Sequence, residues 1–346
     1  MPSDQTFRID RIISLWPLDI GAGLEIGPLD SPLARKSSCN VRYVDVVDTQ
    51  GLRDHYLGDP NVGQEDIVDV DYSLHDSDGI IHSLAEVVAP GAPFDWVLAS
   101  HVVEHVPDLI GWLADIAQVV TDDGRLLLAI PDRRYTFDVR RPQTSVGQIL
   151  QAHTDRDMVP SERAVYDYFR SVVTVSAVDL WADVPVADLP RCYTFDQALD
   201  FRRRGLDTAE YLDSHVWMFT PRDFVEQITD LGRLDLCDFV VDKVIDTAVN
   251  ELEFYVSLRR IPRGLDPLQT EQFRALGMQE FVEEINPKAE TTPDQVPRVS
   301  PPNEEAGGQS PGSEAHLLGG SALSDLELRL INGKRRAMAV VRQIFR

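Results

Sequence analysis

The sequence contains few cysteines and few basic residues, and it has no long apolar run. Its 3 cysteines stand far apart and form no C-x-x-C pair, which argues against a disulfide framework and a thiolate zinc site. Lysine and arginine together number 33 against 57 acidic residues, so the net charge is -24. Because phosphate binding needs a basic face, this charge argues against nucleic acid as the main partner.

The lack of long apolar stretches bears on where the protein works. No run approaches the roughly 18 apolar residues that a membrane span requires. The first residues, MPSDQTFRID, are polar, and no apolar segment follows a basic start as in a secretory signal. Together with the widely spaced cysteines, these features predict a cytoplasmic protein in a reducing compartment.

Short apolar runs alternate with segments of helical length through the first third of the chain. Five of these runs are typical of strands, namely 23–27, 41–46, 66–72, 94–100 and 125–132. Several are apolar nearly throughout, as in a parallel sheet that helices cover on both faces. The clearest helical spacing runs from Pro107 near its start to Gly124 just past its end. This alternation predicts an α/β fold with a doubly wound sheet.

The middle of the chain interrupts this pattern. Residues 133–215 are rich in helix-compatible pieces and predict a helical insertion after the fifth strand. Thr220 as N-cap, Pro221 in the first turn and Gly232 as stop then predict a further helix. Two more strands are predicted at 234–244 and 251–260. Because their connection is too short for a parallel crossover, they predict a mostly parallel, seven-stranded sheet whose last strand is antiparallel.

The composition predicts three parts of the chain. Residues 1–265 form the folded domain, with the insertion at 133–215. Residues 266–320 are predicted to be a short helix and then a disordered linker, because their Pro, Gly, Glu and Ser content leaves little to bury. Residues 321–346 predict a basic amphipathic tail helix. This tail either contacts an anionic membrane or a protein partner, or is a solvated terminal helix.

The segment LEIGPLDSPL (24–33) places a strand directly before a tight turn. In a doubly wound sheet a nucleotide-like ligand approaches the backbone at this first turn, and Gly27 leaves room for it. Asp45, at the end of the second strand, suits the two hydroxyls of a ribose, and Asp48 is the alternative. The turn is therefore a candidate ligand site.

The ligand at this turn is predicted to be cationic. Dinucleotide-binding chains usually carry G-x-G-x-x-G here, whereas Leu29 and Ser31 stand where further glycines are expected. Glu25 would repel a pyrophosphate, but it suits a ligand with an ammonium and a sulfonium group. These residues favour S-adenosylmethionine (SAM) over NAD.

The segment SHVVEHV (100–106) carries an H-x-x-E-H pattern that some zinc peptidases place on a helix. Such a site needs both histidines on one helix and a third ligand, yet His101 directly follows a strand. Ligands of doubly wound sheets bind beyond the carboxyl ends of the strands, and this is one such end. The segment is therefore assigned to the SAM site without a metal, and hydrolysis by a metal bound to His101 and His105 is a lesser alternative.

From Leu24 to Arg260 the chain resembles the class I SAM-dependent methyltransferases, most closely the type 11/23-like bacterial enzymes. LEIGP is similar to the E/D-x-G-x-G-x-G turn of that family, and Asp45 matches its acidic residue after the second strand. The stretch 94–132 resembles its fourth and fifth strands, and the closing hairpin matches its reversed last strand. The resemblance implies a Rossmann-like methyltransferase fold with SAM as the cofactor.

The resemblance also implies which residues bind the cofactor, namely Glu25, Gly27, Asp45, Asp71, Ser100 and His101. Of these, Glu25 and Gly27 would lie near the methionine part of SAM, and Asp45 would bind the ribose. Asp71 is the candidate for the adenine amino group, unless it only caps the next turn. His101 would line the cofactor.

The family places an acidic-His pair beside the cofactor and the acceptor pocket, which implies a role for Glu104 and His105. A hydroxyl acceptor profits from a base with a pKa near neutrality, which is the range of histidine. His105 is predicted as this base and Glu104 as its orienting partner; alternatively, His105 is a structural residue at a helix start. His153 and His215 are further candidates. Some ubiquinone-type O-methyltransferases use a divalent cation at a similar element, and this alternative stays open.

The segment IPDRRYTFDVRRPQT (130–144) follows the fifth strand and would cross the mouth of the pocket. Arg133, Arg134 and Tyr135 are predicted to bind an anionic or sugar-bearing acceptor, since guanidinium groups suit phosphate and carboxylate. The alternative is that these arginines pair with acidic residues in solvent. The insertion would then form a lid that selects the acceptor.

The predicted function is SAM-dependent O-methylation of a small-molecule or glycan-related acceptor. The second hypothesis is a SAM-fold binding or scaffolding protein without turnover, because Leu29 and Ser31 depart from the glycine pattern.

Overall fold

The computed structural model describes residues 4–60, 62–208 and 211–281 of the chain. The strands are β1 (Ala22–Ile26), β2 (Asn40–Asp45), β3 (Tyr72–Ser73), β4 (Phe94–Ser100), β5 (Val120–Pro131), β6 (Phe239–Ile245) and β7 (Glu253–Arg260). The helices are α1 (Asp4–Leu15), α2 (Thr49–His55), α3 (Leu84–Val88), α4 (Leu109–Val119), α5 (Val146–Asp155), α6 (Glu162–Ser171), α7 (Ala177–Trp181), α8 (Phe195–Thr208), α9 (Pro221–Arg233) and α10 (Pro267–Phe281).

The strands form one seven-stranded sheet in the order β3-β2-β1-β4-β5-β7-β6. The pairs among β1 to β5 are parallel, and β7 runs antiparallel between β5 and β6. The predicted doubly wound, mostly parallel seven-stranded sheet with an antiparallel last strand is therefore confirmed. Since β2, β1 and β4 are neighbours, their carboxyl ends lie side by side.

Both faces of the central strands are buried, which explains their continuous apolar sequence. On one face Val97 and Leu126 pack in a cluster with Leu113 of α4 and Phe224 of α9. The alternate residues, including Trp96 and Leu127, face a second cluster, in which Ile12 of α1 is fully buried. The period of two along each strand thus sends successive side chains into two helical layers.

Several predicted boundaries were wrong in detail, including that of the strand predicted from 234, which begins at Phe239. The third strand is only Tyr72–Ser73 instead of 66–72. The stretch before it is rich in aspartate, which is unfavourable in β-strands, and follows the short 3-10 helix Gln64–Asp66. The fourth helix ends at Val119, well before Gly124, since the buried Val120 pairs with Phe94 and begins β5. Gly232 lies inside α9, whose C-cap is Leu234.

The insertion 133–215 is helical, as predicted, and contains α5 to α8. Helix α1 was not predicted. The short helix predicted from 266 is present as α10, whereas most of the predicted disordered linker and the whole basic tail 321–346 lie outside the described residues. Among the helices that the structure describes, none is both long and apolar enough to cross a membrane.

The predicted start of α9 offers a test of the fold. The side chain of Thr220 accepts a hydrogen bond from the backbone N–H of Asp223, and Pro221 follows it. We expect Thr220→Ala to lower the free energy of unfolding by about 1 kcal/mol, measured by urea denaturation, because the cap is lost. Thr154→Ala is the matched control, since this exposed hydroxyl only donates to Leu150 O within a helix. Equal losses in both variants would contradict the capping role.

Candidate cofactor and acceptor site

The turn after β1 has the backbone conformation that a close ligand contact requires. Gly27 has a φ of 65°, a left-handed value that favours glycine, and its N–H donates to Val44 O at 2.9 Å. Leu29 also takes a left-handed φ, 47°, and its side chain is buried against Leu52 and Tyr56. The turn therefore keeps a glycine-like backbone at Leu29, although the side chain departs from the family pattern.

Glu25 lies beneath this turn and fixes the loop that follows it. Its two oxygens accept hydrogen bonds from the backbone N–H groups of Leu33 (2.8 Å) and Ala34 (3.0 Å). Burial raises the pKa of Glu25 to about 7, although both backbone bonds act to lower it. Its place near the methionine part of SAM stays a prediction.

Asp45 lies at the carboxyl end of β2, next to the end of β1. Its Oδ1 accepts the backbone N–H of Val46 at 2.7 Å, and burial raises the pKa of the carboxyl to about 6. Asp48, the alternative, instead accepts the N–H of Gly51 at 2.8 Å as the N-cap of α2. Asp45 thus fits a ribose better, because a buried carboxylate gains from two hydroxyl donors.

Asp71 was predicted at the end of the third strand, but it directly precedes β3, and its side chain contacts protein groups. Its Oδ2 accepts the backbone N–H of Tyr43 at 2.8 Å and lies 2.7 Å from the ammonium group of Lys36. These contacts join Asp71 to β2 and to the loop after β1. Its role toward adenine stays a prediction.

The end of β4 carries the next group of predicted residues. Ser100 Oγ accepts a hydrogen bond from Arg8 of α1, and Arg8 also pairs with Glu253 at 2.6 Å. His101 has a φ of 54°, and its Nε2 contacts Glu253. Helix α1 and the start of β7 therefore contact this strand end, and the sequence alone did not indicate Arg8 or Glu253.

Glu104 and His105 form the centre of a buried cluster behind this strand end. Oε1 of Glu104 lies 3.5 Å from His101 Nδ1 and 3.6 Å from His105 Nε2. Burial alone would raise the pKa of Glu104, but the neighbouring histidines lower it to about 2. Burial acts to lower the pKa of His105, but the nearby carboxylates of Asp213 and Glu104 raise it. Glu104 is therefore ionised.

The last part of the insertion completes this cluster. Val216 donates its N–H to Glu104 O at 2.7 Å, the Trp217 indole donates to Val106 O at 2.7 Å, and Tyr211 donates its hydroxyl to His105 O at 2.8 Å. These bonds hold the segment 211–217 against the turn that contains Glu104. As a result, Oδ1 of Asp213 lies 3.3 Å from His105 Nδ1.

His215 packs against His105 and is held from behind. The two rings meet edge to face with centroids 4.6 Å apart. Nδ1 of His215 lies 2.5 Å from Oδ2 of Asp138, and the other oxygen of Asp138 accepts from Arg141 at 2.9 Å. Burial opposes ionisation of Asp138, but His215 and Arg141 together lower its pKa to about 2. Burial lowers the pKa of His215, although the carboxylate of Asp138 acts to raise it.

The three predicted acceptor residues, Arg133, Arg134 and Tyr135, already contact other protein groups. Arg134 pairs with Asp132 at 2.6 Å and with Asp246 at 3.2 Å, so the alternative of paired arginines fits this residue. Arg133 donates to Arg141 O at 3.1 Å. The ring of Tyr135 stacks on Trp181 at 3.9 Å.

The two remaining histidine candidates lie in different environments. His215 belongs to the buried cluster, whereas His153 is partly exposed and its Nδ1 lies 3.0 Å from Asp108 at the start of α4. Asp138 and Asp213 were missed by the sequence analysis. Their only signal was their position in the segments that follow β5 and precede α9.

The sequence profile of a methyltransferase-domain family matches residues 18–232, which is more than half of the chain. The chain belongs to this methyltransferase family. It is therefore a SAM-dependent methyltransferase, as the resemblance implied. No curated protein matches the methyltransferase in sequence.

Several solved structures are similar to the methyltransferase at low identity. A SAM-dependent methyltransferase from Methanosarcina mazei has a TM-score of 0.37 at 12% identity, with 73% of this chain and 98% of that chain covered. A chain named as a zinc-dependent alcohol dehydrogenase from Rhodobacter sphaeroides has a TM-score of 0.39 at 14% identity, covering 75% and 90%. Magnesium protoporphyrin IX methyltransferase from Synechocystis PCC 6803, with bound SAH, has a TM-score of 0.32 at 10% identity. The match covers 74% of this chain and 81% of that chain.

The two aspartates after β2 provide a test of the cofactor site. We expect Asp45→Asn to weaken SAM binding about 10–100-fold in calorimetry, because charge-assisted hydrogen bonds contribute about 1.5–3 kcal/mol. The affinity of the unchanged protein should rise as the pH passes upward through about 6, where Asp45 ionises, and this rise should vanish in the variant. Asp48→Asn is the control, since asparagine caps a helix equally well. A loss in Asp48→Asn alone would assign the ribose to Asp48.

Proposed function

We propose that the protein transfers a methyl group from SAM to a hydroxyl oxygen of a small-molecule or glycan-related acceptor. The observation that carries this proposal is the buried cluster of Glu104, His105 and Asp213. Glu104 and His105 follow β4, which pairs with β1, and Asp213 reaches them from the end of the insertion. A hydroxyl becomes a good nucleophile only when its proton is removed, and such a cluster is suited to this step.

The cofactor side of the proposal rests on the neighbouring ends of β1 and β2. Gly27 offers an open backbone turn, and Asp45 offers a buried carboxylate at the position for a ribose. When bound, SAM supplies a methyl group already activated by the sulfonium. The work left to the protein is to orient the acceptor, exclude water and remove the proton.

The acceptor side is proposed to lie between the insertion and the end of β4. The backbone bonds from 211–217 to the Glu104 turn anchor the end of the insertion at this point. The stacked pair of Tyr135 and Trp181 lies in the same insertion and suits the apolar face of a sugar ring. This supports a glycan-related acceptor, with α5 to α8 as the element that selects it.

His105 is the predicted base, with Glu104 as its partner, and its removal tests the proposal. We expect His105→Gln to lower kcat about 10²–10⁴-fold against a panel of phenolic and sugar hydroxyl acceptors, while SAM affinity stays unchanged. His153→Gln is the control, because His153 is also paired with a carboxylate but lies outside the cluster. Methyl transfer to nitrogen acceptors only, or equal loss in both variants, would contradict the proposal.

The pH dependence follows from the raised pKa of His105. A base must be unprotonated, so kcat/KM should rise with pH and level off above the ordinary histidine range near 6.5. The rise should be absent in the residual activity of His105→Gln. A profile that falls across this range in the unchanged protein would contradict a proton-accepting role.

A further inference from the structure

Glu104 carries a buried carboxylate whose oxygens lack close hydrogen-bond donors among the described residues. Its side chain is 1% exposed, and neither oxygen accepts a hydrogen bond of good geometry from any residue that the structure describes. The two nearest groups are imidazole nitrogens at 3.5 and 3.6 Å. Because buried polar atoms normally have close partners, these unsatisfied oxygens call for a further partner.

The imidazoles of His105 and His215 both lie close to the carboxylate of Glu104. One nitrogen of His105, one nitrogen of His215 and one oxygen of Glu104 all lie within 4.8 Å of one another. Ligands at about 2.0–2.1 Å from a tetrahedral zinc ion are separated by roughly 3.4 Å, so the 3.6 Å between Glu104 and His105 fits a shared ion. His105 itself makes no hydrogen bond through either ring nitrogen within the described part of the chain.

Each of these histidines has a carboxylate behind its other nitrogen. Asp213 lies 3.3 Å from Nδ1 of His105, and Asp138 lies 2.5 Å from Nδ1 of His215. In metal sites a histidine ligand typically donates its second N–H to a carboxylate, which fixes the ring and leaves the other nitrogen for the ion. Here the arrangement leaves both Nε2 atoms as ligands, and Arg141 holds Asp138 in turn.

We propose that Glu104, His105 and His215 bind a divalent transition-metal cation of the zinc type. Two imidazole nitrogens and one carboxylate oxygen are a ligand set that suits zinc, whereas magnesium prefers oxygen alone. Three protein ligands leave a position open for a further oxygen. The site differs from the pair His101 and His105 of the sequence pattern, because Nε2 of His101 contacts Glu253.

The catalytic part of this inference rests on the proposed oxygen methylation, whereas the binding of the ion does not. An acceptor hydroxyl that enters the open position would be acidified by the cation, and its proton would leave to solvent or to a neighbouring carboxylate. A nitrogen bound to a cation has no lone pair for a proton. In the metal-bound protein His105 would thus be a ligand. The ion would lower the pKa of the acceptor hydroxyl, and His105 Nε2 would not accept its proton.

Metal analysis of the full chain tests the site without using activity. The protein is treated with a chelator, titrated with Zn²⁺ against a chromophoric competitor, and examined by Co²⁺ absorption for tetrahedral coordination. We expect one ion per chain, with binding lost in Glu104→Gln and His215→Gln and weakened about 10–100-fold in Asp138→Asn. His82→Gln is the control, because His82 pairs with Asp76 in an exposed position and has no part in the cluster.

The outcomes separate this inference from the proposed function. If no Zn²⁺ binds while SAM does, the metal site is overturned and His105 remains the predicted base. Zn²⁺ binding that is equal in all four variants would mark an adventitious ion and would also overturn the site. Absence of SAM binding or of hydroxyl methylation would instead count against the proposed function. Asp138→Asn keeps the test decisive if a ligand variant fails to fold, since it removes no proposed ligand.

Discussion

The shared edge at which parallel strands end is the constraint on which the rest of this structure depends. The order β2-β1-β4 brings Asp45, Gly27 and Ser100 to adjacent positions, although they are far apart in sequence. Buried strands leave no polar backbone free along their length, so loops at this edge carry the polar side chains. The turn after β1 and the cluster around Glu104 therefore lie at the same edge of the sheet.

A second constraint is the attachment of the insertion to the turn after β4. Backbone and side-chain hydrogen bonds join 211–217 to Glu104, His105 and Val106. They bring Asp213 and His215 to residues more than a hundred positions earlier. The end of the insertion thus supplies two side chains of the charged cluster.

The two buried carboxylates Asp138 and Glu104 differ in how closely their partners approach. Asp138 has Arg141 and His215 as close partners, whereas among the described residues Glu104 has only imidazoles, at 3.5 and 3.6 Å. Structural carboxylates in a folded core usually have short partners. This difference between the two carboxylates is one basis of the proposed cation at Glu104.

The sequence by itself determined the sheet class, the reversed hairpin, the helical insertion, the family and the turn at Gly27, because apolar periodicity and turn residues are local properties. It also singled out Glu104 and His105. It missed α1, began the third strand about six residues too early, and gave no sign that Arg8, Asp138, Asp213 and Glu253 meet these residues. Only the tertiary structure decided those contacts, because hydrogen bonds between distant segments leave no periodic trace along the chain.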